Sequence, residues 1–387
     1  MMDAVKLAIA GAALLLLAAA AVAGGILPPG EIVEIAERVI PILAFVVAVT
    51  IVAELAAKAG VFDVAAGRLA RMSRGRTVVL WLLVVALAVV STAFLSLDTT
   101  AVLLTPVVVA VARANGLPPL PFAFTTVWLA NTASLVLPVS NLTNLLALDH
   151  LPAGGALGFI ALMGPTAGVA IVVTVGLLFV IHHRSLRGRF EPAPPPRIAD
   201  RIQLVAASVV AIVLMPALVS GWEPWIPASL AAALLIALFA WRSPRALSVR
   251  LVPWSLLVFA AGLFTAMAAL ESLGSAAIAA AVAGEPGGPL ELWRMAGTAL
   301  VAANAVDNLP AYLLLEPAAG TPERLGALLV GVNAGPLITP WASLATLLWH
   351  ERLHAVGVDV PWRRFIAWGL VAAPVIVGLS VLPLALR

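Results

Sequence analysis

Long apolar stretches dominate the pattern of hydrophobic and polar positions along this chain. Runs of about 20 residues with few charges, enough for a helix to cross a bilayer, recur throughout, for example at residues 7–23, 40–57 and 156–181. No segment alternates apolar and polar residues as a transmembrane strand does. Because only helices and closed barrels span lipid, the pattern predicts an all-α polytopic membrane protein with about nine to eleven transmembrane helices.

The composition agrees with this prediction and excludes several other classes of protein. Hydrophobic residues make up 63% of the chain and charged residues 11%, against roughly 45–50% and about 25% in an ordinary globular domain. The chain has no cysteine, which excludes disulfides, thiolate metal sites and cysteine nucleophiles. The net charge of +3 comes with no domain-sized basic patch, so a lipid bilayer and not a nucleic acid is the expected partner.

A basic, proline-rich segment divides the chain into halves. Residues 183–201 are expected to form a cytoplasmic linker between a first transmembrane repeat, residues 1–182, and a second, residues 202–387. Residues 202–218 would be one extra helix in front of the second repeat. Residues 1–24 also fit a signal peptide superficially, but we expect them to form a first transmembrane helix because many spans follow.

A repeated motif relates the two halves. The segment NTASLVLPVSNLTNLL, which begins at Asn131, aligns without a gap with NAGPLITPWASLATLL, which begins at Asn333. Upstream, Asp98 in Leu-Asp-Thr-Thr is expected to match Asp307 in Val-Asp-Asn-Leu. Many transporters consist of two such repeats. The alignment therefore predicts two structurally related halves.

Basic loops predict that the two repeats are inverted relative to each other. Residues 58–76 and 242–250 are rich in arginine, and the positive-inside rule places both loops in the cytoplasm with the linker. This arrangement requires residues 77–113 and 293–315 each to enter the membrane and return on the same side. We therefore expect two re-entrant hairpins.

Polar residues inside the predicted spans indicate a binding site. Pro138 and Pro340 interrupt the two repeated segments, which predicts two discontinuous helices whose broken ends hold a small polar solute. An ionised carboxylate at a hairpin tip would be costly without a partner, so the two aspartates are expected to carry a proton or a sodium ion. The predicted site consists of Asp98, Thr99, Thr100, Asn131, Ser134, Ser140 and Asn141 on one side and Asp307, Asn308, Asn333, Thr339 and Ser343 on the other.

A structural explanation is open for each of these residues and for a third acid, Glu54. Any single serine or threonine can simply bond a neighbouring helix, although the two-fold recurrence of an aspartate and an Asn-to-Pro break argues against packing alone. Glu54 lies within a predicted span. It can snorkel towards the membrane surface or pair with Lys58 one helical turn on, and this structural interpretation is favoured over a role in the site.

A zinc-protease pattern offers a remote alternative. His350 and His354 bracket an H-E-x-x-H motif, which places two imidazoles on one helical face with a carboxylate as general base. The motif follows Trp349 at a predicted cytoplasmic helix end, and a charged helix terminus at the membrane surface explains it more simply. No G-x-x-x-x-G-K-[ST] loop is present to bind ATP. We expect no resident metal or cofactor.

The same segments resemble a known family. Leu104-Thr-Pro, the segment from Asn131, Asn308-Leu-Pro and the run from Gly335 to Trp349 are similar to arsenite/antimonite permeases of the ion transporter superfamily, which is related to the divalent anion/sodium symporters. The resemblance covers most of the chain in order. It implies a secondary transporter of the inner membrane, not an enzyme, that exports trivalent arsenic or antimony with the proton gradient alone or with an accessory ATPase. It also implies a homodimer.

Departures from the family pattern keep a second substrate class open. Leu97, Asn333, Leu337 and Asp307 stand where the family usually has Asn, Asp, Lys and Asn. Relatives in the superfamily carry dicarboxylates, citrate or silicate, or exchange sodium for protons. The predicted site has no Lys or Arg to compensate an organic anion, whereas arsenous acid is neutral at physiological pH. A neutral hydroxylated solute exchanged for protons is favoured; a sodium- or proton-coupled organic-anion transporter or a Na⁺/H⁺ antiporter is the alternative.

Overall fold

The protein is built from helices in a computed structural model. The structure describes residues 2–151, 155–195, 197–284, 287 and 290–387. Within these ranges no strand forms, and an isolated antiparallel bridge joins Arg76 and Arg189. Seven described helical segments are long and apolar enough to cross a membrane, and three shorter ones are also apolar. The predicted all-α polytopic membrane fold is confirmed; Pro196 of the predicted linker lies outside the described residues.

The helices of the first half precede the linker and those of the second half follow it. The first half contains α1 (Met2–Ala23), α2 (Pro29–Lys58), α3 (Val61–Met72), α4 (Thr77–Leu95), α5 (Leu97–Thr99), α6 (Thr105–Ala114), α7 (Leu120–Thr132), α8 (Leu142–Ala147) and α9 (Gly155–Leu186). The second half contains α10 (Arg201–Ala217), α11 (Trp225–Arg242), α12 (Trp254–Ser272), α13 (Ser275–Ala283), α14 (Glu291–Val306), α15 (Asn308–Leu315), α16 (Pro322–Ala334), α17 (Leu344–Ala355), α18 (Trp362–Ser380) and α19 (Leu382–Ala385).

The two halves repeat the same order of elements. A long helix, α2 or α12, is followed by a short one, α3 or α13, and the turn between them uses a left-handed glycine in each half, Gly60 (φ 83°) and Gly274 (φ 92°). Glycine adopts this conformation without the steric cost that a Cβ would add. A hairpin, a broken helix and a final long helix, α9 or α18, complete each half. The predicted internal repeat is therefore present in the backbone.

The tips of the two hairpins correspond, but Asp98 and Asp307 do not. The first hairpin turns at Ser96 (φ 84°) and the second at Asp307 (φ 136°), and each of these side chains caps the helix that follows. Ser96 Oγ accepts a hydrogen bond from the Thr99 amide at 3.4 Å, and Asp307 Oδ1 accepts one from the Leu309 amide at 3.1 Å. The prediction that Asp98 is the counterpart of Asp307 is wrong by two positions. Asp307 is the turn residue of the second hairpin, and its counterpart in the first hairpin is Ser96.

The base of the first hairpin is tied to the linker at both ends. The Phe190 amide donates to Gly75 O at 2.9 Å, just before α4. After α6, Asn115 Oδ1 accepts a hydrogen bond from the Ala193 amide at 2.8 Å. Both ends therefore lie on one side of the molecule, here called the linker side, as the predicted re-entrant hairpin requires.

The base of the second hairpin lies on the opposite side. Arg324 donates to Gly284 O at 2.9 Å and to Ala319 O at 3.0 Å, which brings together the chain before α14 and after α15. Glu316, at this base, accepts a hydrogen bond from Arg38 at 2.6 Å. Arg38 is separated from Lys58, at the linker-side end of α2, by about 30 Å of helix. The two hairpins therefore enter from opposite sides, which matches the predicted inversion.

The close approach of α18 to the second broken segment predicts a sharp sensitivity at Gly369. A Cβ there would meet the carbonyl oxygen of Leu337 and come within 2.8 Å of Ile338 Cα. Because backbone cannot move aside as a flexible side chain can, Gly369→Ala should lower the free energy of unfolding by roughly 1–3 kcal/mol. Gly378→Ala, on the same helix with open space around it, is the matched control. Equal thermal unfolding midpoints for the two variants in detergent would contradict the packing described.

Candidate functional site

The tips of the two hairpins meet at a central cavity of about 250 Å³. Ser96 and Asp98 line it from the first hairpin, and Asp307 and Asn308 line it from the second. The remaining wall is mostly apolar and comes from α2, α12 and the segments after the two helix breaks. Because the two hairpins enter from opposite sides, their tips bring two carboxylates, one from each half, to a polar patch in the mostly apolar central cavity.

Both predicted discontinuous helices are broken in the structure. After α7 the chain passes through two short 3₁₀ turns, Ala133–Val136 and Pro138–Ser140, and is extended at Asn141 (φ −150°, ψ 149°) before α8 begins. After α16 it runs without regular structure to Ser343 (φ −150°, ψ 130°), which precedes α17. Asn141 and Ser343 occupy equivalent positions in the repeat, and both line the central cavity.

Asn333 joins the two broken helices through its side-chain amide. Its Oδ1 accepts hydrogen bonds from Asn141 Nδ2 at 2.6 Å and Thr143 Oγ1 at 2.9 Å, and its Nδ2 donates to Asn144 Oδ1 at 2.7 Å. Asn144 in turn donates to Ser134 O and Leu137 O at 2.6 and 3.1 Å. Carbonyl groups freed by the break are therefore satisfied by side chains, as a non-aqueous interior requires.

The two aspartates lack a compensating positive charge. The Asp98 carboxyl group makes no hydrogen bond or ion pair within the described part of the chain, and the Asp307 carboxyl group accepts a hydrogen bond only from the Leu309 amide there. None of the described residues that line the central cavity is Lys, Arg or His. A charged carboxylate in such a setting is expensive, so the cavity suits a proton, a cation or a solute with hydroxyl donors.

The structure brings five of the predicted site residues to the central cavity and places the others behind it. The five that line it are Asp98, Asn141, Asp307, Asn308 and Ser343. Ser343 Oγ is buried without a hydrogen-bond partner among the described residues, which leaves it free to bond a solute. Thr99 lines a neighbouring cavity, considered below.

The remaining predicted residues make hydrogen bonds within the first hairpin, within α7 or between a helix break and a hairpin. Inside the first hairpin, Thr100 Oγ1 accepts a hydrogen bond from Thr92 Oγ1 and donates one to Ser91 Oγ, each at 2.9 Å. Ser140 Oγ donates to Ala93 O at 2.9 Å. The other three are Asn131, which donates to Val127 O, Ser134, which donates to Asn131 O, and Thr339, which donates to Asn304 O. Like Asn333, they do not line the cavity.

Sequence reasoning missed Ser96 and Asn304. Asn304 is the counterpart, in the second half, of the amides that hold the first break: its Nδ2 donates to Gly335 O at 2.9 Å and its Oδ1 accepts from the Thr339 amide at 2.9 Å. Its backbone carbonyl also accepts a hydrogen bond from Trp341 Nε1 at 2.9 Å. The signal was a lone Asn in an otherwise apolar helix, close before the predicted tip.

The zinc-protease motif has other contacts. The His350 ring stacks on Trp362 with 4.0 Å between centroids, and its Nε2 lies 3.1 Å from Val360 O. The described residues include no group of three His, Cys, Asp or Glu side chains that could hold a metal ion. The motif is thus part of the packing between α17 and α18.

An ion-pair cluster lies on the side opposite the linker. Arg38 of α2 contacts Glu316 Oε1 at 2.6 Å and Asp149 Oδ2 at 3.0 Å, and His150 Nδ1 lies 3.2 Å from the same Glu316 oxygen. The hydrogen bond to Glu316 raises the pKa of His150 above its ordinary value of 6.5. The cluster connects α2, the chain after α8 and the base of the second hairpin.

Comparison with known proteins places these features among membrane transporters. The chain matches a family described as citrate transporter, CitMHS, over residues 2–346. Arsenical pump membrane proteins from Yersinia enterocolitica and from Escherichia coli (strain K12) are each 27% identical, with 94% of this chain and 90% of each relative aligned. The similarity to arsenite/antimonite permeases inferred from the motifs is confirmed.

A solved structure shares the fold. The crystal structure of the Alcanivorax borkumensis YdaH transporter, described as revealing an unusual topology, has a TM-score of 0.56 to this chain. The match covers 91% of this chain and 86% of that one at 15% identity. At that identity the likeness shows the fold alone.

Removing the Asn333 amide should destabilise the contact between the two broken helices. Asn333→Ala leaves three buried groups, on Asn141, Thr143 and Asn144, without their partner, and each such loss typically costs about 1–3 kcal/mol. We expect a clearly lower unfolding midpoint in detergent. Thr166→Val is the control, since the Thr166 hydroxyl is buried without a hydrogen bond. Equal unfolding midpoints for Asn333→Ala and Thr166→Val would contradict the hydrogen-bond network described.

The His150 contact predicts a pH-dependent contribution to stability. Because the folded state raises the pKa of His150 above 6.5, the contribution should be fully present below pH 6.5 and disappear as the pH rises through the folded-state pKa. The side chain is 49% exposed, so the effect should stay under about 1 kcal/mol. The measurement is the unfolding midpoint of His150→Ala relative to the parent across this range, with the exposed His354→Ala as control. A difference that does not vary with pH would contradict the assignment.

Proposed function

Because the chain belongs to the citrate transporter (CitMHS) family and is a multi-pass membrane transporter, we propose that it exports arsenite or antimonite from the cell in exchange for protons. The names of the arsenical pump relatives motivate this choice of substrate. The observation that carries it is the central cavity, whose described lining brings together two carboxylates, two amides and an unpaired hydroxyl and includes no cationic side chain.

The chemistry of the cavity favours a small neutral hydroxide over an organic anion. A citrate or dicarboxylate ion would have to enter a chamber that already holds Asp98 and Asp307, and like charges at close range repel strongly where the dielectric is low. A neutral trihydroxide can instead donate its O–H groups to those carboxylates. A volume of about 250 Å³ accommodates such a solute, since a water molecule occupies about 30 Å³ in the liquid.

Competition between the solute and protons provides the coupling. Ionised Asp98 and Asp307 accept hydrogen bonds from the solute, whereas protonated carboxyl groups have fewer acceptor positions to offer. Protons arriving from the acidic outer side thus favour release there, and loss of those protons to the cytoplasm restores the binding form. By linkage, the solute and the protons must weaken each other's binding to the same degree. The amides of Asn141 and Asn308 and the Ser343 hydroxyl would replace part of the solute's hydration.

The test is arsenite uptake by everted vesicles in the absence of ATP, with the interior made acidic. The proposal expects accumulation that depends on the pH gradient and is abolished in Asp98→Asn, because the amide cannot take up a proton. Asp359→Asn, an exposed acid between α17 and α18, should transport normally. ATP is omitted so that uptake reports the gradient without an accessory ATPase.

Two results would count against the proposal. Asp98→Asn vesicles that accumulate arsenite as well as the parent would remove the role of that carboxylate. Absence of arsenite uptake together with sodium-dependent movement of citrate or succinate would show that the protein is an organic-anion transporter instead.

A further inference from the structure

A second cavity, of about 150 Å³, adjoins the central one at Asp98. The two cavities share Asp98, Thr50, Leu256 and Leu344 in their walls. The second cavity is lined in addition by Thr99, by Glu54 of α2, and by Pro253 and Ser255 where α12 begins. That end of α12 follows the basic loop at residues 242–250, and Lys58 donates to Ala246 O in the same loop at 2.7 Å. The second cavity therefore extends from Asp98 towards the linker side.

Glu54 faces this cavity without a partner. Of the two structural alternatives, snorkelling and pairing with Lys58, the pairing is wrong, because the Lys58 ammonium bonds the Ala246 carbonyl instead. Glu54 makes no hydrogen bond or ion pair with any described residue. Glu54 is partly buried in a membrane span, and Ala53, Val102 and Leu348 line the same cavity. Such a position leaves a proton or a bound cation as the means of neutralising it.

Asp98 is the one other ionisable residue in the described lining of this cavity. The charged groups at this end of the surrounding elements lie outside the lining: Lys58 on α2, Asp63 on α3, Arg242 on α11, Arg250 before α12, and His350 and Glu351 on α17. Arg242 pairs with Asp200 at 2.7 Å, and His350 packs on Trp362. Glu54 and Asp98 are thus the two acids in the described lining of this cavity, and Asp98 also lines the central one.

We propose that Glu54 is a proton-relay residue that connects Asp98 with the cytoplasmic face; the proposal rests on the proton coupling proposed above. The O–H bond of protonated Asp98 breaks and an O–H bond forms on the Glu54 carboxylate, directly or through water in the cavity. Glu54 then releases the proton on the linker side, and Asp98 is again ionised and able to bind solute. The cavity needs no other titratable side chain for this transfer.

A hydrophobic carbodiimide tests the relay without any transported solute, because it reacts with protonated carboxyl groups in apolar surroundings. Purified protein is treated with dicyclohexylcarbodiimide over a range of pH, and the modified residue is identified by mass spectrometry. We expect modification at Glu54, declining as the pH rises, with a changed pH profile in Asp98→Asn. The exposed Glu34 on the same helix should stay unmodified. Absence of modification at Glu54, or a profile that Asp98→Asn leaves unchanged, would overturn the proposal.

Transport measurements separate this inference from the proposed function. In proteoliposomes, Glu54→Gln should lose net arsenite movement driven by a pH gradient but retain arsenite–arsenite exchange at equal pH, which requires no proton release. Glu54→Asp should recover part of the net movement, and Glu34→Gln should behave as the parent. Normal net transport in Glu54→Gln would overturn the relay. If the parent itself shows no gradient-driven arsenite transport, the proposed function fails, and the carbodiimide result alone decides whether Glu54 takes up protons from Asp98.

Discussion

A helix that ends inside a membrane frees backbone amide and carbonyl groups that lipid cannot satisfy, and the rest of this structure depends on how those groups are bonded. Asn144 covers carbonyls at the first broken helix, and Asn304 covers a carbonyl and an amide at the second. Asn333 then links the two breaks through its own amide. Because protein side chains make these bonds, the broken segments can line the central cavity and leave it open.

The inverted arrangement of the two hairpins explains why the central cavity is polar where their tips meet. Two hairpins that enter from opposite sides bring their tips together at one cavity within the apolar interior. Ser96 and Asp307 turn the chain with positive φ, and the adjacent Asp98 and Asn308 reach the same cavity. Acids that would be costly elsewhere in the membrane are thereby concentrated in one cavity, where a proton or a cation can neutralise them. This polar patch in the apolar interior is therefore also the candidate binding site.

The fold and much of the site could be predicted from the sequence because both depend on strong, local signals. Apolar length predicts the spans, prolines among polar residues in aligned segments predict the broken helices, and the basic loops predict the inversion. The finer geometry escaped prediction where it depends on tertiary contacts. The turn residue of the first hairpin is Ser96, two positions before Asp98, and it lies just outside the four-residue motif on which the match was based. Thr100 and Ser140 carry the same hydroxyl as Ser343 but bond the hairpin, and Lys58 prefers a carbonyl on another loop to Glu54.

The proposed export in exchange for protons requires the central cavity between the hairpin tips to open alternately to the two sides of the membrane. The chain has no cysteine, so Ser96→Cys provides a single reactive thiol at the tip. The decisive measurement is its rate of modification by a membrane-impermeant maleimide, applied to right-side-out and to everted vesicles under opposite pH gradients. Alternating access predicts reaction from both faces, with the two rates changing in opposite directions when the gradient is reversed. Reaction from one face alone under every condition would mean that the chamber is a fixed crevice and would contradict the account.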